Sequence, residues 1–310
     1  GGAGNDTLVG GTGNDTFNID SGTDIITLLG GDNSGAGGDS DVLVVSSGAT
    51  VNAANINAFT ATTASSNAGT ANLSTKSAGG TINMAASNSG AYNINGGAGT
   101  DILTGGSGND VFTVAATTEA DGDTINGGAG NDIINLSTGT HTLNNDARLS
   151  NVETIVANSS GSTLILTNQA EGFTLTGGAG TDNFTGGSGA DVITGGAGND
   201  TFAGGTGNDT FNVDSGTDTI SDLGSGSDIF VVSSGATLNA TPITSFTATF
   251  ASRNDGTANL IADSGGGVIN LSNVASGAGT YTITVGAGTD TVTGSSGNDV
   301  FVVAGTTQGN

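Results

Sequence analysis

The sequence predicts an all-β fold wound as a repetitive coil, a solenoid, and three observations predict it. From Gly177 to Asn212, four nine-residue phrases run end to end: GGAGTDNFT, GGSGADVIT, GGAGNDTFA and GGTGNDTFN. Self-similarity at a short fixed period is the mark of stacked repeats that bury a face only against one another. Each phrase closes on small-polar, apolar, small-polar residues, the alternation of a strand too short to stand alone. The 310 residues include 58 glycines, 34% apolar residues and 4% aromatics, which is material for a thin core. Seven of the 11 phenylalanines (Phe17, Phe112, Phe184, Phe202, Phe211, Phe230 and Phe301) hold the eighth place of such a phrase. Stacked there, they would make the core a column.

The front of the phrase has a different chemistry. Three glycines in four residues let the backbone turn freely and leave its carbonyls unshielded. The Asp at the sixth place adds a carboxylate to those oxygens. Hard oxygen donors in a flexible turn suit Ca²⁺, which takes six to eight oxygens at about 2.3–2.6 Å, better than Mg²⁺ with its stricter octahedron.

The pattern GGxGxDxUx, with U apolar, resembles the calcium-binding nonapeptide of the RTX (repeats-in-toxin, haemolysin-type) family. The resemblance implies a right-handed parallel β-solenoid, or β-roll, in which successive nonapeptides lie on opposite sides, so that each loop stacks on the loop two nonapeptides away. It also implies that Ca²⁺ takes the carbonyls of positions two and four and the Asp of one loop. The carbonyls of positions one and three and the Asp of the loop one coil on complete the cage. One implied site is Gly178, Gly180 and Asp182 with Gly195, Ala197 and Asp200; another is Gly187, Gly189 and Asp191 with Gly204, Thr206 and Asp209. The same carry-over adds Gly196, Gly198, Gly205, Gly207, Val213, Ser215, Asp218 and Asp228.

Taken in order, residues 1–45 form a first calcium segment with loop carboxylates Asp6, Asp15 (beside Gly11 and Gly13) and Asp24. Asp6 and Asp24 are expected to pair through Gly2, Gly4, Ile19 and Ser21. After Thr27 the phase slips, and Asp39 with Asp41 is read as a loop pair in preference to Asp32. Residues 46–95 lack the phrase yet keep apolar marks nine or ten residues apart, so the coil is expected to continue without metal, its turns capped by Asn and Thr. Residues 96–135 restore it with Gly97, Gly99 and Asp101, then Gly106, Gly108 and Asp110, then Gly127, Ala129 and Asp132. The second and third of these are expected to pair; Asp121 and Asp123 lie between them. An EF-hand at Asp121 is disfavoured because Asn126 stands where that loop needs Gly and Asp132 where it needs Glu. Residues 136–176 are again metal-poor, and 145–153 is the only stretch suited to a helical turn. The central array, 177–231, is followed by a metal-poor stretch at 232–284 and by Asp290 and Asp299 in 285–310.

A longer repeat overlies the short one. GNDTFNIDSGTDII at 13–26 returns as GNDTFNVDSGTDTI at 207–220, a shift of 194 residues, and GNDVF at 108–112 returns at 297–301. The chain is therefore read as one module and part of the next, a fragment or processed product. Without polar caps, its end coils call for continuation of a longer chain or for copies stacked end to end or laterally.

Twenty-eight acidic residues against three basic ones give a net charge of −25. Such a chain should repel itself and stay unfolded until a cation arrives, so metal binding and folding are expected to be one event. The same charge disfavours nucleic acid, since no basic stripe is present to neutralise phosphates. With no cysteine there is no disulfide, and with no apolar run of about 18 residues there is no membrane span. His141, the single histidine, is read as a surface residue, and Lys76, Arg148 and Arg253 as isolated solvated charges. No nucleophile, His and acid are placed as a triad, so the chain is not expected to be an enzyme. The expected role is an extracellular calcium-binding structural protein of a bacterial surface, a surface layer, filament or adhesin, exported by type I secretion, with a cell-surface glycan as a candidate partner. The alternatives are the calcium-dependent folding segment of a larger secreted enzyme or toxin, and, less favoured, an ice-binding adhesin domain.

Overall fold

The computed structural model describes residues 1–30, 40–114 and 122–304. Asp32, Asp39 and Asp121 fall outside them. Among the described residues the regular structure is short strands joined by tight turns. Among the same residues no helix is long and apolar enough to cross a membrane. The expected helical turn at 145–153 is a single turn closed by the Arg148 N–H on the Asn145 carbonyl, followed at once by the strand Leu149–Ser150.

The chain divides into two compact units, residues 1–137 with 141–155, and residues 138–140 with 156–310. Each is a parallel β-solenoid. In the first, the strands Thr7–Val9, Thr23–Thr27, Thr50–Ile56, Thr70–Thr75, Asn93–Gly97, Val111–Val114 and Ile133–Leu136 lie side by side in one parallel sheet. A facing sheet holds Ala58–Thr60, Thr81–Asn83, Ile102–Thr104, Thr124–Asn126 and Leu149–Ser150. In the second unit, Thr174–Thr176, Val192–Thr194, Thr210–Val213 and Ile229–Val232 form one wall. Ser162–Ile165, Asn183–Thr185, Thr201–Ala203, Thr217–Ile220 and Thr237–Ile243 form the other.

Register follows the repeat. Val192 pairs with Thr210 and Asn183 with Thr201, so each residue meets its counterpart two phrases on and two nonapeptides make one turn. Where the phrase is absent the turn lengthens: Thr50 pairs with Thr70, Asn72 with Asn93 and Thr257 with Thr280. The extra residues build a third wall, seen as Ser245–Thr247, Val268–Asn270 and Thr291–Thr293. Here asparagine ties the coils together. The Asn93 amide donates to Asn72, that of Asn72 to Asn52, and that of Asn259 to Asn239, at 2.8–2.9 Å. At the corners, Asn83, Asn158 and Asn270 each accept the N–H two residues on, a side-chain turn in place of the strict glycine loop.

The core is the expected column. Phe184, Phe202, Phe211 and Phe230 are at most 1% exposed, and the Phe202 ring stacks on Phe184 at 6.3 Å and on Phe211 at 6.4 Å between centroids. Phe301 departs from the expectation: in the strand Asp299–Val303 it is 56% exposed. Two further readings are corrected. His141 is buried, because the strand Gly139–Thr142 turns its ring inward, where a ring nitrogen meets the Ser137 carbonyl at 2.9 Å. Burial accordingly lowers its pKa. Arg253 is exposed but not isolated: its guanidinium grips the Asp255 carboxylate at 2.5 and 3.1 Å. Lys76 is half-buried and donates to Asn57.

Candidate functional site

Each strict phrase ends its loop by turning the Asp side chain back under the coil. A short strand then starts, so the loop is pinned on one side by the sheet ladder. On the other, at Asp6, Asp110, Asp182 and Asp191, the side chain itself pins it. The Asp182 Oδ2 accepts the Gly178 N–H at 3.0 Å, and the Asp191 Oδ2 accepts that of Gly187 at 3.2 Å. Oδ1 reaches across to the neighbouring coil. The Asp182 N–H donates to Asp200 Oδ1 at 2.8 Å and the Asp200 N–H to Asp218 at 3.0 Å. On the other edge Asp191 donates to Asp209 at 2.9 Å and Asp209 to Asp228 at 3.0 Å. Two files of carboxylates result, and all six residues are at most 1% exposed.

The first unit repeats the arrangement. Asp6 donates to Asp24 at 2.9 Å, and the Ser21 hydroxyl bonds the Gly2 carbonyl, so the structure brings together the loops expected to pair. Asp110 likewise donates to Asp132 at 2.7 Å. Asp41 meets Asp15 at 2.9 Å and also accepts the Gly30 N–H. Asp101 meets Asp123 at 2.9 Å and accepts the Gly80 N–H. Asp290 accepts from Gly267, and Asp299 from Ser295 within its own loop. Gly97 donates to Asn95. Gly11 and Gly13 turn the loop leading to Asp15, Gly13 with φ of 99°.

Around the carboxylates the glycines leave a gap where oxygens converge. A Cβ on Gly186 would stand 2.3 Å from both Asp191 Oδ2 and the Gly204 carbonyl oxygen. On Gly105 it would stand 2.3 Å from Asp110 Oδ2 and 2.0 Å from the Gly127 oxygen. A side chain has no room there; a small hard cation has two ready donors. Oδ2 of Asp15, Asp132, Asp200 and Asp218 is buried with no hydrogen-bond partner. A buried anionic oxygen left unpaired is costly, so these atoms call for a cation. Gly196 and Gly205, with φ of 89° and 97°, hold the left-handed turn that aims the carbonyls inward. The position-two carbonyls of Gly106, Gly178 and Gly187 already accept one N–H, from Ala129, Ala197 and Thr206, and keep a second lone pair for a ligand. Among the described residues no three Asp, Glu, His or Cys side chains converge on one point. A metal here must be held by paired carboxylates completed by backbone oxygens. That donor set fits Ca²⁺.

Three carboxylates escaped the sequence reading. Glu153 accepts the Asp132 N–H at 2.7 Å and so extends a file with a longer acid. Asp214 accepts the Gly196 N–H at 3.2 Å. Asp222 accepts those of Gly204 and Gly205 at 3.0 and 2.7 Å. The signal for Glu153 was its spacing of one coil from Asp132. Asp214 stands where the motif has its second glycine, and Asp222 is an extra residue between two phrases.

Burial pushes Asp209 and Asp218 up to about 7 and Asp101 and Asp110 up to about 6. Neighbouring carboxylates push the same way and backbone N–H donors partly oppose. Because these folded values lie above those of the open chain, the stability the protons confer on the calcium-free coil is complete below the ordinary Asp range. It is lost as pH rises through about 6–7. In calcium-free buffer the circular-dichroism strand signal should therefore grow as pH is lowered from 8 towards 5. A signal flat across that range would contradict the charge argument.

Comparison with known families gives one result. The model of the RTX calcium-binding nonapeptide repeat matches residues 1–34, 88–113, 117–140, 176–211, 185–220 and 277–303, about half of the chain. No curated protein matches.

Proposed function

The chain belongs to the family of RTX calcium-binding nonapeptide repeat proteins, and from that premise we propose that it is an extracellular structural segment which folds and self-assembles on binding several Ca²⁺ ions. The ions would sit between successive coils, each held by two carboxylates of one file, as Asp182 with Asp200 and Asp191 with Asp209, and by the loop carbonyls beside them. Bound there, the ion supplies charge neutralisation and a bridge from coil to coil. The chain's own part is to aim oxygens, exclude bulk water and keep each loop open with glycine.

One observation supports a further coil stacked beyond Val303, supplied by a second copy or by the same chain running on. Phe112, in the phrase GNDVF, is fully buried because the following coil, GGAGNDIIN, sets Ile134 beside it in register. The second GNDVF leaves Phe301 and Val303 56% and 75% exposed. Residues 1–9 read GGAGNDTLV, the same covering phrase. Where no further coil of the same chain covers Asp299–Val303, a second copy laid with that phrase on it would bring Leu8 to Phe301 as Ile134 comes to Phe112, and Asp6 to Asp299 as Asp132 comes to Asp110. Light scattering should show oligomers in millimolar Ca²⁺ that dissolve on chelation and are weakened by Phe301→Asp. Monomers at every calcium and protein concentration would refute assembly.

A further inference from the structure

The long repeat places a tyrosine at the same point of two coils and surrounds it differently. Tyr92 stands just before the pair of Asn93 with Val111, and Tyr281 just before the pair of Thr282 with Val300, so each lies against a loop reading GNDVF. Around Tyr92 the coils are closed. Its hydroxyl lies 2.5 Å from Ser87 Oγ, and Asp110 clamps the two coils by accepting the Tyr92 N–H at 2.6 Å. A Cβ on Gly106 would stand 3.6 Å from the Tyr92 ring, and one on Gly108 2.4 Å from the Gly90 carbonyl oxygen.

Around Tyr281 three changes open them. Met84 and Leu271 hold the same place, each giving its N–H to the following coil, and Ser87 and Val274 each close a turn on that residue's carbonyl. The serine that met the tyrosine hydroxyl is thus a valine. From Leu271 to the tyrosine the chain runs 281 − 271 = 10 residues, against 92 − 84 = 8 from Met84. Gly106 is replaced by Ser295, whose N–H and hydroxyl both go to Asp299 at 2.9 Å, so that carboxylate serves its own loop. A Cβ on Gly297, the counterpart of Gly108, would meet only Ser295 Oγ, at 3.5 Å. The previous coil has drawn away.

The result is a cavity of about 250 Å³ walled by Val274, Ala275, Ser276, Tyr281, Ser295 and Ser296. A single water needs roughly 10–15 Å³ of such space. Tyr281 is 4% exposed, its ring is held edge-on to Phe230 at 6.4 Å, and its hydroxyl is buried with no partner. Burial, helped by the Asp299 and Asp255 charges, raises its pKa and keeps it a donor. A coil stacked beyond Val303 would not fill this space. In the first unit the coil after GNDVF lies on the far side of that loop, where Gly127 approaches Gly105.

We propose that this cavity binds one uncharged sugar residue of a surface glycan. The buried group that lacks a partner is a hydrogen-bond donor, which a cation cannot satisfy, and the flanking carboxylates repel an anion. A sugar ring brings oxygens to accept from the Tyr281 hydroxyl, hydroxyls to pair with the exposed Ser276 and Ser296 at the mouth, and C–H faces to cover Val274 and Ala275. A few placed polar groups on an otherwise apolar wall is the usual make-up of a small-molecule site.

The test is saturation-transfer difference NMR on the full chain in saturating Ca²⁺, with the methyl glycosides of glucose, galactose, mannose and N-acetylglucosamine as probes. At least one should bind, and methyl glucuronide, which adds a carboxylate, should bind more weakly than methyl glucoside. Tyr281→Phe should weaken binding about tenfold, the scale of one lost hydrogen bond. Val274→Ser, which restores the partner found beside Tyr92, should weaken it too, and Tyr92→Phe should not. Circular dichroism at the same calcium concentration checks that each variant keeps its strand signal. Binding by none of the four glycosides, or equal binding by Tyr281→Phe and wild type, would overturn the assignment. Glycan binding and self-assembly stand apart: light scattering reads one and the glycoside signal the other.

Discussion

Stripping Ca²⁺ from the chain at pH 8 is expected to erase its strand signal almost completely, and restoring millimolar Ca²⁺ to bring it back. The argument is one of balance. A net charge of −25 opposes compaction, and 58 glycines raise the entropy lost on ordering the backbone. Against this stands a column one or two side chains wide. Its Asp residues are driven into burial with unpaired oxygens, a state favoured only when a cation meets them. Ions present at 10–100 times their dissociation constant stabilise the fold by roughly 1.4–2.7 kcal/mol per site. Several such sites together match the whole stability of an ordinary domain, about 5–15 kcal/mol. Circular dichroism during a calcium titration reads this directly; a spectrum already complete in EDTA at pH 8 would end the case for coupled folding.

Replacing Phe202 with Ala should have the largest effect of any single core change. The ring is fully buried and packs on Phe184 along its own wall and on Phe211 of the other, so its loss opens a cavity between the two walls. Truncating a buried Phe typically costs about 3–5 kcal/mol. That exceeds what one ion supplies near its working concentration, so the variant should need several-fold more calcium to fold, or fail to fold at physiological levels. Phe250→Ala is the control, since that ring is 79% exposed and its loss should leave the titration midpoint in place. Equal midpoints for the two variants would show that the aromatic column contributes little.

Much of this architecture was readable from the residues alone, because the phrase couples two requirements in a single short repeat. Glycines fix where the loop turns, and the eighth residue fixes which side faces in. Asp6 with Asp24, Asp110 with Asp132, and the central files around Asp182 to Asp209 all follow from that phase. Where the phase is lost, so is legibility. In the metal-poor coils each turn exceeds two nonapeptides by a different amount and gains a third wall, which no fixed period announces. Asp214, Asp222 and Glu153 were missed because their role depends on which N–H of the previous coil they reach, a distance and not a pattern. His141 misled because histidine is polar by type, whereas the alternation along its strand puts it inside.

The pairing of Val192 with Thr210 and of Asn183 with Thr201 has a consequence for how such a chain can grow. Excising two consecutive phrases from the array rejoins every remaining strand to a neighbour on its own wall, and each aspartate keeps a counterpart above and below. Excising a single phrase would carry every later loop to the opposite edge, against neighbours of the wrong phase. Whole phrases are therefore expected to be gained or lost here in pairs, whereas a few extra residues in a loop, as between Thr210 and Ile229 or Thr50 and Thr70, leave each strand on its own wall, and duplication of long tracts is an easy route to a longer molecule.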